Sequence, residues 1–167
     1  MIIGILGDTH GRTDAMAAAI QLLTKAGAEF FIHTGDVGST QILDQLVGLR
    51  AAFVFGNTDW DRLPLARYAE KIEVPCYGNF ADLTLDGKRI AVIHGDDQKL
   101  KQRLLAEQQF DYLLQGHTHI RHDERIGRTR IINPGALHRA AEKSVATLDT
   151  STDALQFHIL HQSNNPI

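Results

Sequence analysis

The chain has 167 residues, of which 43% are hydrophobic, and its formal net charge at pH 7 is −3. This length allows one full hydrophobic core but not two ordinary domains, so we predict a single domain over residues 1–167. The slightly acidic charge balance excludes a protein that binds nucleic acid or an anionic membrane nonspecifically, because phosphate groups are held mainly by Lys and Arg.

The first half of the chain alternates apolar strands with helical patterns. The predicted elements are, in order, a strand at Met1–Leu6, a helix capped by Thr13 or Asp14 and stopped by Gly27, a strand at Phe30–His33, a helix from Ser39 or Thr40 to Gly48 that buries Val47, and a strand at Ala51–Phe55. This alternation of strand and helix predicts parallel pairing with right-handed crossovers.

The second half contains mostly strands. Asp59–Tyr68, with Pro64, is predicted to be irregular. A hairpin is predicted to turn at Asp86-Gly87, and a helix to start at Asp97. The predicted strands are Ala81–Leu85, Ile90–His94, Tyr112–Gln115, Ile120–Ile126, Thr129–Ile132, Val145–Leu148 and Leu155–Leu160. Two mixed sheets packed face to face, with helices outside, would bury both kinds of element in a layered α/β sandwich.

Cysteine content and hydropathy bear on location. Cys76 is the only cysteine, which excludes an intramolecular disulfide and a cysteine-based zinc site and fits a reducing cytoplasm. Met1–Leu6 lacks a basic flank and is shorter than a signal sequence, and no stretch is long and apolar enough for a membrane span. We therefore predict a soluble, cytoplasmic protein with no membrane partner. The polar segment His161–Ile167 is predicted to be frayed.

Five apolar runs end in short clusters of Gly, Asp, Asn and His. These clusters are Gly7-Asp8-Thr9-His10, Gly35-Asp36, Gly56-Asn57, His94-Gly95 and Gly116-His117-Thr118-His119. In open α/β sheets, ligands gather in the loops at the carboxyl ends of the strands. Asp8 and His10, like His117 and His119, are separated by one residue, and in extended backbone such pairs point the same way. The clusters thus predict one shared metal site.

The ligand types narrow the choice of metal. A set of imidazoles, carboxylates and an amide differs from the all-oxygen sites of calcium or magnesium, so manganese, iron, zinc or nickel are the candidates. Two divalent ions, offset by two carboxylates and a bridging hydroxide, would keep about one positive charge in excess to attract a phosphate. The hydroxide could attack phosphorus in line with the leaving group, so the sequence predicts a metal-dependent phosphoester hydrolase.

In this order, the five clusters, with Gly56-Asn57-Thr58-Asp59 at the third, resemble the calcineurin-like metallophosphoesterase superfamily, in particular its small bacterial and archaeal phosphodiesterases. The resemblance implies a four-layer αββα sandwich and a preference for manganese. It also implies that Asp8, His10, Asp36 and His119 bind one ion, and that Asp36, Asn57, His94 and His117 bind the second, with Asp36 bridging. We expect Asp36, Asn57 and His94 to be the catalytic residues.

The chain departs from the family pattern in three places. Many members carry His where this chain has Thr58, and that His is thought to protonate the leaving oxygen, which Thr58 cannot do near neutral pH. Asp96 stands where many relatives have a second His, and could orient a ligand imidazole, as could Asp59 or Asp97. Asn133-Pro134-Gly135-Ala136 resembles a family turn that more often ends in Ser.

Other residues fit structural roles better than functional ones. The histidines outside the clusters, predicted to be structural or on the surface, are His33, His122, His138, His158 and His161. Alternation predicts that some of the four arginines of Arg121–Arg130 lie on the exposed face of a hairpin. Arg12 could hold a phosphate oxygen or be a solvated residue at a helix start, and Trp60 could stack on a nucleobase or pack at the rim.

Three functions compete. The first is a phosphodiesterase acting on a small or nucleotide-like diester, without stable nucleic-acid binding. The second is a phosphomonoesterase with the same metals, and the third is a scaffold of low activity that binds proteins, as the related retromer subunit does. Presence of all the ligand positions favours an enzyme, which could form a homo-oligomer.

Overall fold

The computed structural model describes residues 1–160, and the predicted tail His161–Ile167 lies outside the described residues. Four helices and ten strands form within them. The elements are β1 (Ile2–Leu6), α1 (Thr13–Lys25), β2 (Phe30–His33), α2 (Thr40–Asp44), β3 (Ala51–Phe53), α3 (Arg62–Lys71), β4 (Phe80–Leu85), β5 (Lys88–Ile93), α4 (Gln98–Glu107), β6 (Tyr112–Leu114), β7 (His122–Ile126), β8 (Thr129–Asn133), β9 (Ser144–Asp149) and β10 (Ala154–Ile159).

The strands form two five-stranded mixed sheets. The first has the order β10-β9-β1-β2-β3, and the second has the order β4-β5-β6-β8-β7. β1, β2 and β3 pair in parallel, as the alternation of strand and helix predicted, and so do β5, β6 and β8. The carboxyl ends of these parallel strands carry the loops that form the candidate site.

Three apolar clusters separate four layers of structure. Ile5 and Ile32 of the first sheet pack with Val92 and Leu114 of the second, so the sheets lie face to face. The other face of the first sheet packs against α1, α2 and α3, and the other face of the second sheet packs against α4. The predicted four-layer αββα sandwich is therefore confirmed.

Several local predictions were wrong. Asp59–Tyr68 is not irregular, because α3 starts at Arg62 and Pro64 lies in its first turn, where a missing N–H breaks no helical hydrogen bond. α1 begins at Thr13, and the N-cap position is occupied by Arg12, so neither Thr13 nor Asp14 caps the helix. α2 is only five residues long, and Val47 lies beyond it with 53% of its surface exposed.

Other local predictions hold. The hairpin turn at Asp86-Gly87 has both residues at positive φ, 52° and 73°, as a two-residue hairpin requires. Asp97 caps α4 by accepting hydrogen bonds from the N–H groups of Lys99 and Leu100. Within residues 1–160, none of the helices is long and apolar enough to cross a membrane.

Candidate metal centre

The candidate ligands lie in loops that follow strands of both sheets. β1, β2 and β3 of the first sheet lead into the loops with Asp8 and His10, with Asp36, and with Asn57. In the second sheet, β5 leads to His94, and β6 leads to the loop that carries the candidate ligands His117 and His119. The site therefore lies across the seam between the two sheets.

The backbone at these ligands differs from the expected extended conformation. The ligands in the left-handed region, with their φ values, are Asp8 (51°), His10 (46°), Asp36 (55°), His117 (69°) and His119 (60°). Such a conformation costs about 1 kcal/mol or more for a residue with a side chain. Tight turns, and not the alternation of an extended strand, turn each pair toward one site.

The structure brings all the predicted ligands together. Oδ2 of Asp36 lies 3.5 Å from Nε2 of His10 and 3.4 Å from Nε2 of His94. Oδ1 of Asp8 lies 3.2 Å from Nε2 of His119. Ligand atoms of Asp8, His10 and His119 fall within 4.8 Å of one another, and so do those of Asp8, Asp36 and His94.

The amide of Asn57 completes the second half of the site. Its Oδ1 atom lies 3.0 Å from Nε2 of His94 and 3.0 Å from Nδ1 of His117. Asn57 and His117 are both exposed, whereas His94 is buried. This half of the site therefore opens to solvent while its inner face is enclosed.

Three histidines are oriented in the same way. In each, Nδ1 faces an oxygen outside the group of candidate ligands. Nδ1 of His10 lies 3.4 Å from the Thr58 hydroxyl, and Nδ1 of His94 lies 2.9 Å from the Thr34 carbonyl. Nδ1 of His119 lies 3.4 Å from the Arg139 carbonyl. Their Nε2 atoms face the carboxylates. Metal-binding histidines commonly use one nitrogen for an outer hydrogen bond, which orients the other toward the ion.

Two buried polar atoms at this site have no hydrogen-bond partner among the described residues. They are Oδ1 of Asp8 and Nε2 of His10. Leaving a buried polar atom unpaired costs about 1–3 kcal/mol. Unpaired buried atoms that lie close to other polar side chains therefore indicate a binding site for an ion or a small molecule. A divalent cation fits them, because a carboxylate oxygen and an imidazole nitrogen are both its ligands.

The two carboxylates differ in their electrostatic surroundings. Burial raises the pKa of Asp8 to about 6, although His94 and His119 act in the opposite direction. Burial also opposes ionisation of Asp36, but hydrogen bonds from the His94 side chain and the Thr58 N–H hold the pKa of Asp36 well below its usual range. Asp36 is therefore charged at neutral pH.

Asp59 connects the loops of two ligands. Its buried carboxylate accepts hydrogen bonds from the N–H groups of Val37 (3.1 Å), Gly38 (2.9 Å) and Gly56 (2.9 Å). The first two follow Asp36, and the third precedes Asn57. Asp59 thus holds the backbone of the loops that carry Asp36 and Asn57. The role suggested from the sequence, which was to orient a ligand imidazole, is not the one observed.

Further outer residues support the same loops. His33 is fully buried, with Nδ1 accepting from the Gly35 N–H (3.2 Å) and Nε2 against the Thr9 hydroxyl (2.9 Å), and burial lowers its pKa to about 3. His33 is therefore a neutral structural histidine, as predicted. Asn133 donates to the carbonyl of Gly116 (2.7 Å), which precedes His117. Asp96 is exposed, and no hydrogen bond joins it to a ligand in residues 1–160.

His138 and Arg139 lie beside the candidate ligands His10 and His119, and neither was assigned a functional role from the sequence. The ring of His138 lies 5.3 Å from the ring of His10, centre to centre. Arg139, at φ 51°, presents its carbonyl to His119. Their place next to the turn Asn133-Pro134-Gly135-Ala136 was the available signal, since that turn was already identified as a family motif.

The comparisons with known proteins agree with this geometry. A family model described as the calcineurin-like phosphoesterase superfamily domain matches residues 1–153. The chain belongs to the calcineurin-like phosphoesterase superfamily. The predicted resemblance and the predicted class of enzyme, a hydrolase of phosphoric esters, are thereby confirmed. Members of this superfamily use divalent metals, which fits the ligand groups found here.

Individual members of the superfamily are similar over most of their length. A phosphodiesterase of Methanocaldococcus jannaschii is 29% identical over 138 residues, covering 81% of this chain and 83% of that protein. The solved structure of an archaeal phosphodiesterase has a TM-score of 0.88 at 25% identity, covering 96% of this chain and all (100%) of that one.

Vps29, a vacuolar protein-sorting protein, shares the fold. The structure of Vps29 from Entamoeba histolytica in complex with zinc has a TM-score of 0.61 at 15% identity, covering 96% of this chain and 98% of that one. At this level of identity the likeness concerns the fold alone. It leaves the scaffold alternative to be tested by activity.

Proposed function

We propose that this protein is a divalent-metal-dependent phosphodiesterase with a two-metal site, acting on a small or nucleotide-like diester. The observation that carries the proposal is the position of Asp36, whose Oδ2 atom lies between Nε2 of His10 (3.5 Å) and Nε2 of His94 (3.4 Å). A carboxylate with an imidazole on each side is suited to bridge two cations. The similarity to phosphodiesterases supports a diester substrate.

Each ion would have its own ligands in addition to Asp36. Asp8, His10 and His119 would hold the first ion, and Asn57, His94 and His117 would hold the second. When bound, two divalent ions would supply a nucleophile from water and would neutralise the charge that develops on phosphorus. The native metal is proposed to be manganese, with iron, zinc or nickel as alternatives that the same ligand types accept.

The residues of the chain have distinct parts in this reaction. Asp36, Asn57 and His94 are proposed to be the catalytic residues, because the buried side chains of Asp36 and His94 form the enclosed inner face of the site and the exposed Asn57 lies beside them. Thr34 accepts from Nδ1 of His94 (2.9 Å) and so keeps Nε2 directed into the site. Thr58 donates its N–H to Oδ1 of Asp36 (2.9 Å), which leaves Oδ2 free to bridge.

The first test is hydrolysis of bis(p-nitrophenyl) phosphate by protein stripped of metal with a chelator. We expect no turnover until manganese is added, and saturation at two ions per chain measured by metal analysis. Turnover that persists in the stripped protein would contradict the proposal. A folded protein that shows no turnover with manganese, iron, zinc or nickel would favour the scaffold.

The alternative of a phosphomonoesterase uses the same metal ligands, and no contact within residues 1–160 separates the two activities. The ratio of kcat/KM for bis(p-nitrophenyl) phosphate and p-nitrophenyl phosphate decides between them. A ratio above one supports the diesterase, and a ratio well below one supports the monoesterase. The single domain over 1–167, the cytoplasmic location and the possible homo-oligomer are proposals that rest on the sequence alone.

Thr58 leads to a prediction about the leaving group. Its hydroxyl lies 3.4 Å from Nδ1 of His10, at the place where many members have a proton-donating His. Because a hydroxyl cannot protonate a leaving oxygen at neutral pH, we expect much faster hydrolysis of aryl than of alkyl diesters. Rates on bis(p-nitrophenyl) phosphate and on a dinucleoside phosphate measure this difference.

A Thr58→His variant tests the cause of that preference. We expect its rate on the dinucleoside phosphate to rise by about tenfold or more, since a positioned acid contributes roughly 10²–10⁴-fold. The rate on the aryl diester should change much less, because p-nitrophenolate needs no proton to leave. Thr58→Val serves as the control for loss of the hydroxyl. Equal rates of the unmodified protein on both diesters would refute the explanation.

A further inference from the structure

Two arginines stand beside the His10 and His119 half of the metal centre. Arg12 comes two residues after His10, at the N-cap position of α1, and Arg139 follows His138 in the loop after β8. The carbonyl of Arg139 lies 3.4 Å from Nδ1 of His119, and the ring of His138, the residue before Arg139, belongs to the same part of the site. The same ring lies 5.3 Å from that of His10.

These two arginines differ from those of the neighbouring hairpin. The hairpin arginines each have a carboxylate partner: Arg121 pairs with Glu142, Arg125 with Asp153, Arg128 with Asp111, and Arg130 with Asp123 and Asp153. This pairing agrees with the structural role predicted for them. Arg12 and Arg139 are exposed, and neither forms an ion pair with a carboxylate in residues 1–160.

The position of this free positive charge indicates its ligand. In a chain of net charge −3, two exposed arginines without a carboxylate partner, one two residues after His10 and the other in contact with His119, favour an anion beside these histidines. Guanidinium binds phosphoryl oxygens with two parallel hydrogen bonds. A cavity of about 450 Å³ is lined by the candidate ligand His119 together with Arg121, Arg139 and Glu142 among others. It leaves room for a substrate group beyond the scissile phosphate.

We propose that Arg12 and Arg139 form an anion subsite that binds a second phosphoryl group of the substrate, next to the scissile phosphodiester. This inference rests on the proposed function, and it names the substrate class: diesters that carry an additional phosphate. Two sources share this chemistry. The second phosphate can sit on another hydroxyl of the sugar, or it can be joined to the first through an anhydride oxygen.

Three substrates with one leaving group test the subsite. The first is the p-nitrophenyl ester of thymidine monophosphate, the second bears a further phosphate on the other sugar hydroxyl, and the third is the corresponding ester of thymidine diphosphate. We expect kcat/KM to be at least about tenfold higher for the second or third than for the first, since one charge-assisted contact of about 1.5 kcal/mol corresponds to tenfold. Which of the two is preferred identifies the source.

Substitutions connect this preference to the two arginines. In Arg12→Met and Arg139→Met we expect the ratio of kcat/KM between the phosphorylated and simple substrates to fall toward one. Arg67→Met is the control, because Arg67 is exposed on α3 and outside the site, and it should keep the ratio. A ratio near one in the unmodified protein, or an unchanged ratio in both variants, would overturn the subsite.

Binding without turnover separates this inference from the proposed function. Calorimetry on metal-free protein should show thymidine bisphosphate binding at least about tenfold more tightly than thymidine monophosphate, and the Arg12→Met variant should abolish the difference. If this difference is present but manganese restores no hydrolysis of any ester, the proposed function fails and the subsite stands. If hydrolysis is present but the difference is absent, the subsite fails alone.

Discussion

Replacing Asp36 with asparagine is expected to lower manganese-dependent hydrolysis of bis(p-nitrophenyl) phosphate by about 10³-fold. Asparagine keeps an oxygen for the N–H of Thr58 but removes the charge that faces His10 and His94. Loss of a bridging charge removes several kcal/mol of metal and transition-state stabilisation, and about 4 kcal/mol corresponds to 10³-fold. The variant should also bind fewer than two ions per chain.

Asp97→Asn is the matched control for this variant. It removes one carboxylate from an exposed helix cap, and asparagine caps a helix as well as aspartate does. We expect it to keep full activity and two bound ions. Thermal unfolding of both variants shows whether the fold is retained. An Asp36→Asn protein whose turnover stays within tenfold of the original would remove Asp36 from the bridging role.

Replacing Asp59 with alanine is expected to lower the free energy of unfolding by about 3–5 kcal/mol, the range for removing one partner of a buried charged network. The carboxylate is only 2% exposed and accepts from the N–H groups of Val37, Gly38 and Gly56, which would be left unpaired. For a chain of this size, that loss corresponds to a fall of about 10 °C in Tm.

The same change should weaken metal binding, because Asp59 joins the loop of Asp36 to the loop of Asn57. Asp59→Asn, which keeps one accepting oxygen, should lose less stability than Asp59→Ala. Asp61→Ala is the control, since the side chain of Asp61 makes no capping hydrogen bond at α3. A Tm for Asp59→Ala within about 2 °C of this control would show that the three N–H groups find other partners.

The overall fold and the candidate ligands follow from patterns that are local in sequence. Apolar strands that end in Gly-Asp, Gly-Asn or His-Gly are visible one at a time, and parallel pairing brings their ends to one edge of each sheet. The helix at Arg62–Lys71 was missed because Pro64 is normally a helix breaker, and only its place in the first turn makes it acceptable. Such a placement depends on where the preceding loop is held.

The outer residues could not be assigned from sequence because their partners are distant along the chain. Asp59 contacts Val37 and Gly38 at a separation of about twenty residues, and Arg139 contacts His119 across another loop. Carboxylates and arginines are common near sequence motifs. Only the folded conformation of the loops determines which residues such a group contacts. The left-handed backbone conformation at Asp8 and Asp36 was likewise not predicted, because the sequence pattern was interpreted as extended strand.

Because the proposed metal site lies between the two sheets, metal affinity and the packing of the sheets would be thermodynamically coupled. Asp8, Asp36 and Asn57 lie in loops that follow strands of the first sheet, while His94, His117 and His119 lie in loops that follow strands of the second. An ion held by both groups would act as a cross-link between sheets that are otherwise packed through apolar contacts. By linkage, such an ion would stabilise the packed sheets, and a substitution that populates a state with separated sheets would lower the affinity for the cation, even from the far end of the sandwich.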